Sequence, residues 1–297
     1  MKNLSTKNGL VDDRIWDIGF DSANNYWIAT DGSGVQKYDG TTFTHYDVED
    51  GVAAGETFSV YIDDFDMVWV GTFHGGACLF DGELWNCLDS RDGLIDNTIT
   101  AIYGANGNKV WFGSYKGITT YEPKRGISDI YLKQVVTPQS IYNDKNLLSN
   151  DYSIVKGNRI SFILNTNSFN TLQDKQKYKV KIEQNGFKKD SIIKTNNFNY
   201  IGNSSGDHFL TFQAIDRDLN MSKPLKAQFN VLNPWYLNPS TAVPFWGIIA
   251  MLLSFSGYTT NRYLKQRKLS VNLRRESQKR DQEARKRLEE KNSELLE

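Results

Sequence analysis

Along the first 124 residues, apolar and polar positions alternate in short runs separated by Gly, Asn, Asp and Ser. Ile15 to Phe20 sends alternate side chains to one face, Tyr26 to Thr30 follows a turn at Ser22 to Asn25, Gly34 to Tyr38 comes next, and Phe43 to Tyr46 closes the set. A period of two marks a half-buried strand, so the stretch predicts four short strands joined by tight turns. Asp39-Gly40 and Asp81-Gly82 stand between third and fourth strands, where a hairpin needs positive φ angles. Gly34, Gly76 and Gly117 open the third strands, where a missing side chain lets backbones come close.

The set then repeats. Asn25-Tyr26-Trp27-Ile28-Ala29-Thr30 returns as Met67-Val68-Trp69-Val70-Gly71-Thr72 and as Lys109-Val110-Trp111-Phe112-Gly113-Ser114, with 42 residues between successive tryptophans. Gly9, Gly51 and Gly93 keep the same interval. A repeat of this length predicts a mainly β protein that opens with a partial β-propeller, one four-stranded blade per unit, at about 8–49, 50–91 and 92–124. Trp27, Trp69 and Trp111 are expected as repeat core between neighbouring blades, since aromatics at repeat spacing are far more often packing than ligand platforms. The loops after the tryptophan motif share one place in each blade. Asp31, Ser33, Phe73, His74, Tyr115 and Lys116 are therefore the candidate ligand face, with ordinary turns as the competing reading.

After Pro123 the tryptophan motif stops while strands continue. Ile160–Leu164, Tyr178–Glu183, Phe209–Asp216 and Ala227–Leu232 lie between Asn, Gly and Asp turns, which predicts an immunoglobulin-like β-sandwich over 128–236. From Ala242 the chain carries no charge until Arg262, and about twenty helical residues match a bilayer's hydrocarbon of roughly 30 Å. A transmembrane helix is expected at 242–262, with Pro244 in its first turn. Arg262, Lys265, Arg267, Lys268, Arg274 and Arg275 follow at once, against only Lys223 and Lys226 comparably near on the other side. The positive-inside rule then puts the C-terminus in the cytoplasm. Residues 263–297 contain neither Gly nor Pro and predict a signalling helix or coiled coil, with a solvated single helix as the alternative.

The tryptophan motif, followed by Gly–aliphatic and then Tyr/Phe–Asp, resembles the two-component regulator propeller repeat found in the extracytoplasmic sensors of bacterial membrane receptors. Ser205-Gly206-Asp207-His208-Phe209-Leu210-Thr211-Phe212-Gln213-Ala214 resembles a strand of the three-tyrosine (Y_Y_Y) domain, and Asn233-Pro234-Trp235-Tyr236 is similar to that domain's ending before a membrane span. The domain's usual central tryptophan is missing, and Phe187 is the residue expected to replace it. Arg287 to Leu295 is similar to helices that lead into histidine kinase, cyclase or phosphatase domains. The resemblance implies a single-pass inner-membrane sensor with its N-terminal domains periplasmic or extracellular. It also implies a small-molecule or carbohydrate ligand, a homodimer, and a cytoplasmic output domain outside this sequence. A membrane-anchored adhesion or scaffold protein is the alternative. Three blades leave two open edges, so the sequence is expected to be the C-terminal part of a longer array. The lack of an apolar signal segment in Met1 to Asp13 fits that expectation.

Composition changes this picture little. The 297 residues hold 35 basic and 35 acidic side chains, so no global field favours nucleic acid. Cys78 and Cys87 face each other if Gly82 and Glu83 centre their hairpin, which allows either a disulfide or two half-buried thiols. His45, His74 and His208 have no metal-ligand spacing and are expected at surfaces or interfaces; no metal or cofactor is expected. Nucleophile motifs, paired carboxylates and phosphate loops are missing, so no enzyme is expected. Phosphotransfer in particular is not expected, because the last histidine is His208 and no glycine follows Gly257.

Overall fold

The computed structural model describes residues 3–294 apart from 106–107, 125, 127–128, 144–146, 148–151, 169 and 185. The chain divides into two compact units, Met1–Leu232 and Asn233–Glu297. The first is built from sheets and the second is helical.

Three antiparallel meanders follow one another. The first runs β1 (Ile15–Phe20), β2 (Tyr26–Thr30), β3 (Val35–Tyr38) and β4 (Phe43–Tyr46), and the second β5 (Thr57–Ile62), β6 (Val68–Thr72), β7 (Gly76–Phe80) and β8 (Trp85–Leu88). Among the described residues the third holds β9 (Ile99–Ala105), β10 (Lys109–Ser114) and β11 (Gly117–Tyr121), and the stretch after Pro123, where the repeat predicts a fourth strand, lies partly outside them. Beside this sheet Asp218 accepts from the Tyr121 hydroxyl and the Lys124 amide. Register repeats as well: Trp27 pairs with Lys37, Trp69 with Leu79 and Trp111 with Thr120. The glycine opening β7 could be nothing else. Gly76 has φ +88°, and a Cβ there would lie 1.9 Å from the Leu88 carbonyl oxygen.

A carboxylate turn sets each of the first two tryptophans. Asp21 accepts from the Asn25 amide at 2.8 Å and from Trp27 Nε1 at 3.2 Å, and Asp63 accepts from the Met67 amide at 3.0 Å and Trp69 Nε1 at 3.3 Å. Trp27 and Trp69 are 2% and 1% exposed in the clusters between successive sheets. Trp111 is 39% exposed, which corrects its expected place in the core. The third repeat has Ala105 where the others have the turn aspartate, so that position offers no acceptor.

The remaining strands form a two-sheet sandwich. One sheet runs in the order β13 (Ile141–Tyr142), β12 (Ile130–Val136), β15 (Arg159–Thr166), β18 (Asn197–Ile201). The other runs β14 (Tyr152–Val155), β20 (Leu225–Leu232), β19 (Gly206–Ile215), β16 (Lys177–Gln184), β17 (Phe187–Ile193), with β14 parallel to β20. Phe162, Phe212 and Phe229 fill the space between them, with Phe162 about equidistant from the other two rings at 5.6 and 5.9 Å. Phe187 does not serve as the central aromatic. It begins edge strand β17 and is 64% exposed. His208, expected at a surface, is fully buried, with Nδ1 on the Tyr200 hydroxyl and Nε2 on the Ser204 carbonyl, both at 3.0 Å. Satisfying both ring nitrogens is what lets an imidazole sit inside a core.

The second unit is a short turn, Trp235–Leu237, followed by one helix, α1 (Pro239–Glu294). Asn238 caps it, accepting from the Ser240 amide at 3.2 Å. Because the helix starts at Pro239, Pro244 sits in its second turn and forgoes a bond to the Ser240 carbonyl, a correction to its expected first-turn place. The 56 residues extend about 84 Å at 1.5 Å per residue. The helix is long and apolar enough to cross a membrane.

Candidate functional site

Two regions of the β unit gather chemistry. The first is the end where second strands turn into third strands. Each predicted ligand-face residue there already has a partner or a clear exposure. Asp31 forms an ion pair with Arg14, and the Ser33 carbonyl meets His45 Nε2. His74, at φ +62°, takes Thr98 Oγ1 on its Nδ1 at 3.1 Å, and Lys116 reaches Asp96 at 3.4 Å. Tyr115 is 79% exposed. The polar partners lie in the same sheet or the next, so these contacts hold turns and do not converge on one point. Phe73 belongs to something the loop reading missed. Trp16, Phe58 and Phe73 form a row of edge-to-face rings, 5.2 and 5.9 Å apart, that continues to His74 at 3.8 Å. Trp16 and Phe58 are one repeat interval apart in the sequence, and that coincidence is the signal that would have found them. A half-exposed aromatic row beside polar turns can stack a planar or ring-shaped ligand.

The second region is the junction of the sheets with the sandwich. Ile215 and Leu219, at and just beyond the end of β19, join the cluster that holds Trp69, Leu79, Val110 and Phe112. Around this apolar contact lies a ring of charge. Lys175 Nζ sits 2.7 Å from Asp89, also pairs with Asp92, and donates to the Cys87 carbonyl at 3.1 Å. Arg91 bridges Asp89 and Asp174, both at 2.7 Å, and Lys179 meets Glu83 at 2.6 Å. Asn86 Nδ2 donates to the Asp216 and Arg217 carbonyls at 3.3 and 3.0 Å.

These surroundings shift several protonation equilibria. The Arg91 guanidinium, helped by Lys175, holds the Asp89 carboxyl well below the usual range although burial opposes it. Burial, with Lys194 nearby, lowers Lys177 to about 8, and its ammonium donates to the Trp85 carbonyl. Burial chiefly raises both Tyr121 and Asp218, which share a hydrogen bond. Between the second sheet and the Asp216–Asn220 turn lies a cleft of about 220 Å³ with Trp69 and Leu79 on its floor and Asp63, Asp81 and Asp218 among its polar groups.

Cys78 and Cys87 are directly opposed across β7 and β8 and are joined as a disulfide, with Cα atoms 4.0 Å apart. No group of three or more potential ligating side chains forms a metal site among the described residues.

No protein-family profile and no curated protein matches the chain. Among solved structures it is similar to the extracellular domain of a protein titled as a hybrid two component system, BT3049 of B. thetaiotaomicron. Identity there is 13% over 79% of this chain and 40% of that one, with a TM-score of 0.34. The extracellular domain titled for the one component system BT4673 of the same organism gives 18% identity, 79% and 38% coverage, and a TM-score of 0.33. Virginiamycin B lyase from Staphylococcus aureus gives 13% identity, 71% and 84% coverage, and a TM-score of 0.26. The chain thus spans about two fifths of the length of the first two domains.

Proposed function

We propose that this chain is the sensor portion of a bacterial single-pass receptor of the two-component type. In this reading the three sheets are blades of a partial β-propeller and the sandwich is an immunoglobulin-like, three-tyrosine domain. Both lie outside the inner membrane, α1 crosses it near 242–262, and residues 263–297 are cytoplasmic. A small-molecule or carbohydrate ligand meets the loop end beside the Trp16–Phe58–Phe73 row. Its binding biases a homodimer between two arrangements that reach an output domain outside this sequence, whether histidine kinase, cyclase or phosphatase. The chain itself catalyses nothing and needs no cofactor.

One observation carries this reading: α1 runs unbroken from an apolar stretch into a charged one, Pro239 to Glu294. A helix that only anchors can end where the bilayer ends. A helix that continues turns any rotation at one end into rotation at the other. The ring of ion pairs at the junction supports the same reading, since it lets the second sheet and the sandwich move as one piece.

The test adds a histidine kinase output domain after Glu297 and inserts one to four alanines after Arg262. Each insertion turns the following helix by about 100°. A relay gives kinase output that rises and falls with the helical period. Output indifferent to the insertions supports the adhesion or scaffold alternative and ends the relay reading.

A further inference from the structure

The first two sheets build one constellation and complete it differently. In the first, Trp27 pairs across strands with Lys37, and in the second Trp69 pairs with Leu79, one repeat interval on. Cross-strand partners share a sheet face, so each of these side chains lies beside its tryptophan. Lys37 brings a charge to that place. Its ammonium sits 5.3 Å from the centre of the Trp27 ring and 3.7 Å from Asp21, the carboxylate that holds the indole. The first sheet thus supplies, from its own chain, a cation to an aromatic ring and a carboxylate.

In the second sheet the carboxylate remains and the cation is gone. Asp63 holds Trp69 Nε1 at 3.3 Å, but Leu79 carries no charge. Asp81 adds to the difference. Its counterpart Asp39 accepts on its two carboxylate oxygens from the hydroxyls of Thr41 and Thr42, each at 2.7 Å. Glu83 and Leu84 replace those threonines, so Asp81 accepts only their amides, both on Oδ1, and its Oδ2 has no hydrogen-bond partner among the described residues. Lys177 is near Asp81, but its ammonium donates to the Trp85 carbonyl. Asp63 and Asp81 both line the cleft of about 220 Å³, with Asp218 as a third carboxylate and Lys124 as the one basic group among the described residues.

We propose that this cleft binds a small organic ammonium ion, its charge at Asp63 and Asp81 where the first sheet has Lys37, and its apolar body against Leu79. The carboxylates do not gather as a metal site among the described residues, whereas an apolar floor with a few convergent polar groups suits an organic ligand. An engineered apolar cavity of roughly 150 Å³ takes up benzene. The 220 Å³ here therefore suits one ring with a short ammonium arm. Because the cleft lies between the second sheet and the Asp216–Asn220 turn, the ligand touches both. A site of this kind does not require that the chain be a receptor, and it is separate from the aromatic row.

In the experiment, phenethylammonium is titrated calorimetrically into the full-length chain in detergent, with 2-phenylethanol as an uncharged probe of the same size. The expected result is saturable binding of the ammonium, with the alcohol about tenfold weaker, the scale of one charge-assisted hydrogen bond. Asp81→Asn keeps the turn's Oδ1 acceptor and removes the charge, so ammonium binding falls by about tenfold while the alcohol is unaffected. Leu79→Lys gives the second sheet the first sheet's cation and abolishes ammonium binding. Should that variant fail to fold, since Leu79 is buried, Asp81→Asn decides alone. Three results overturn the proposal: no saturable binding to the parent, equal affinity for the two probes, or ammonium binding unchanged in Asp81→Asn. Either of the last two makes the cleft an apolar crevice that does not recognise charge.

Discussion

Trp69 and Trp111 occupy one position in successive sheets, yet one is 1% and the other 39% exposed. The second sheet has neighbours on both sides, and every residue of β6 and β7 is buried. The third has a neighbour on one side only, so β10 alternates, with Val110 and Phe112 inside and Lys109 and Trp111 outside. Identical motifs therefore give identical strands and register, while the burial that makes a tryptophan stabilising comes from what stands beside the sheet.

That difference is breakable. Trp69→Ala removes a ring packed among Leu79, Val110 and Phe112, and is expected to cost about 3–5 kcal/mol in chemical unfolding of the β unit. A loss under about 1 kcal/mol would show that the second sheet is not a core sheet. Lys175→Met comes next, because it strands Asp89 and Asp92 with side chains only 19% and 2% exposed. Breaking a buried pair by removing one partner costs about 3 kcal/mol, and here retained solvent contact and Arg91 reduce the effect. Adding Asp89→Asn and Asp92→Asn should restore part of the loss, whereas no recovery would mean the lysine acts by packing alone.

Trp111→Ala should cost less than about 1 kcal/mol in the same assay, as surface substitutions do. An effect matching that of Trp69→Ala would mean the outer face is covered in solution. The smallest effect is one of pH. Lys177 has a folded pKa near 8, below its ordinary 10.5. Between those values the unfolded chain binds more protons, so stability climbs as pH rises from about 8 to 10.5 and the penalty is fully present below 8. Lys177→Met should flatten that segment of the unfolding profile, and an unchanged slope would assign it to other groups.

Much of the strand order was legible because β strands and their turns carry local signals. The tryptophan interval, Asp39-Gly40, Asp81-Gly82 and the opening glycines place eleven strands, and β15, β16, β19 and β20 fall where the apolar runs do. What could not be read depended on distant neighbours. Trp111 lost its cover, and Phe187 lies on an edge. His208 is internal only because Tyr200 and Ser204 come to meet it. The junction was unreadable for the same reason: Lys175 and Asp92 are 83 residues apart, and neither stands out locally. The aromatic row was half legible, since Trp16 and Phe58 keep the repeat interval although Phe73 lies in a loop.

The central claim is that α1 carries the chain across the membrane with the β unit outside. It is tested most directly by labelling Ser22→Cys and Ser293→Cys chains, exported in intact cells, with a membrane-impermeant maleimide. The account predicts that position 22 is labelled at once and position 293 only after the cells are lysed. Labelling of position 293 in intact cells, with position 22 protected until lysis, would contradict it.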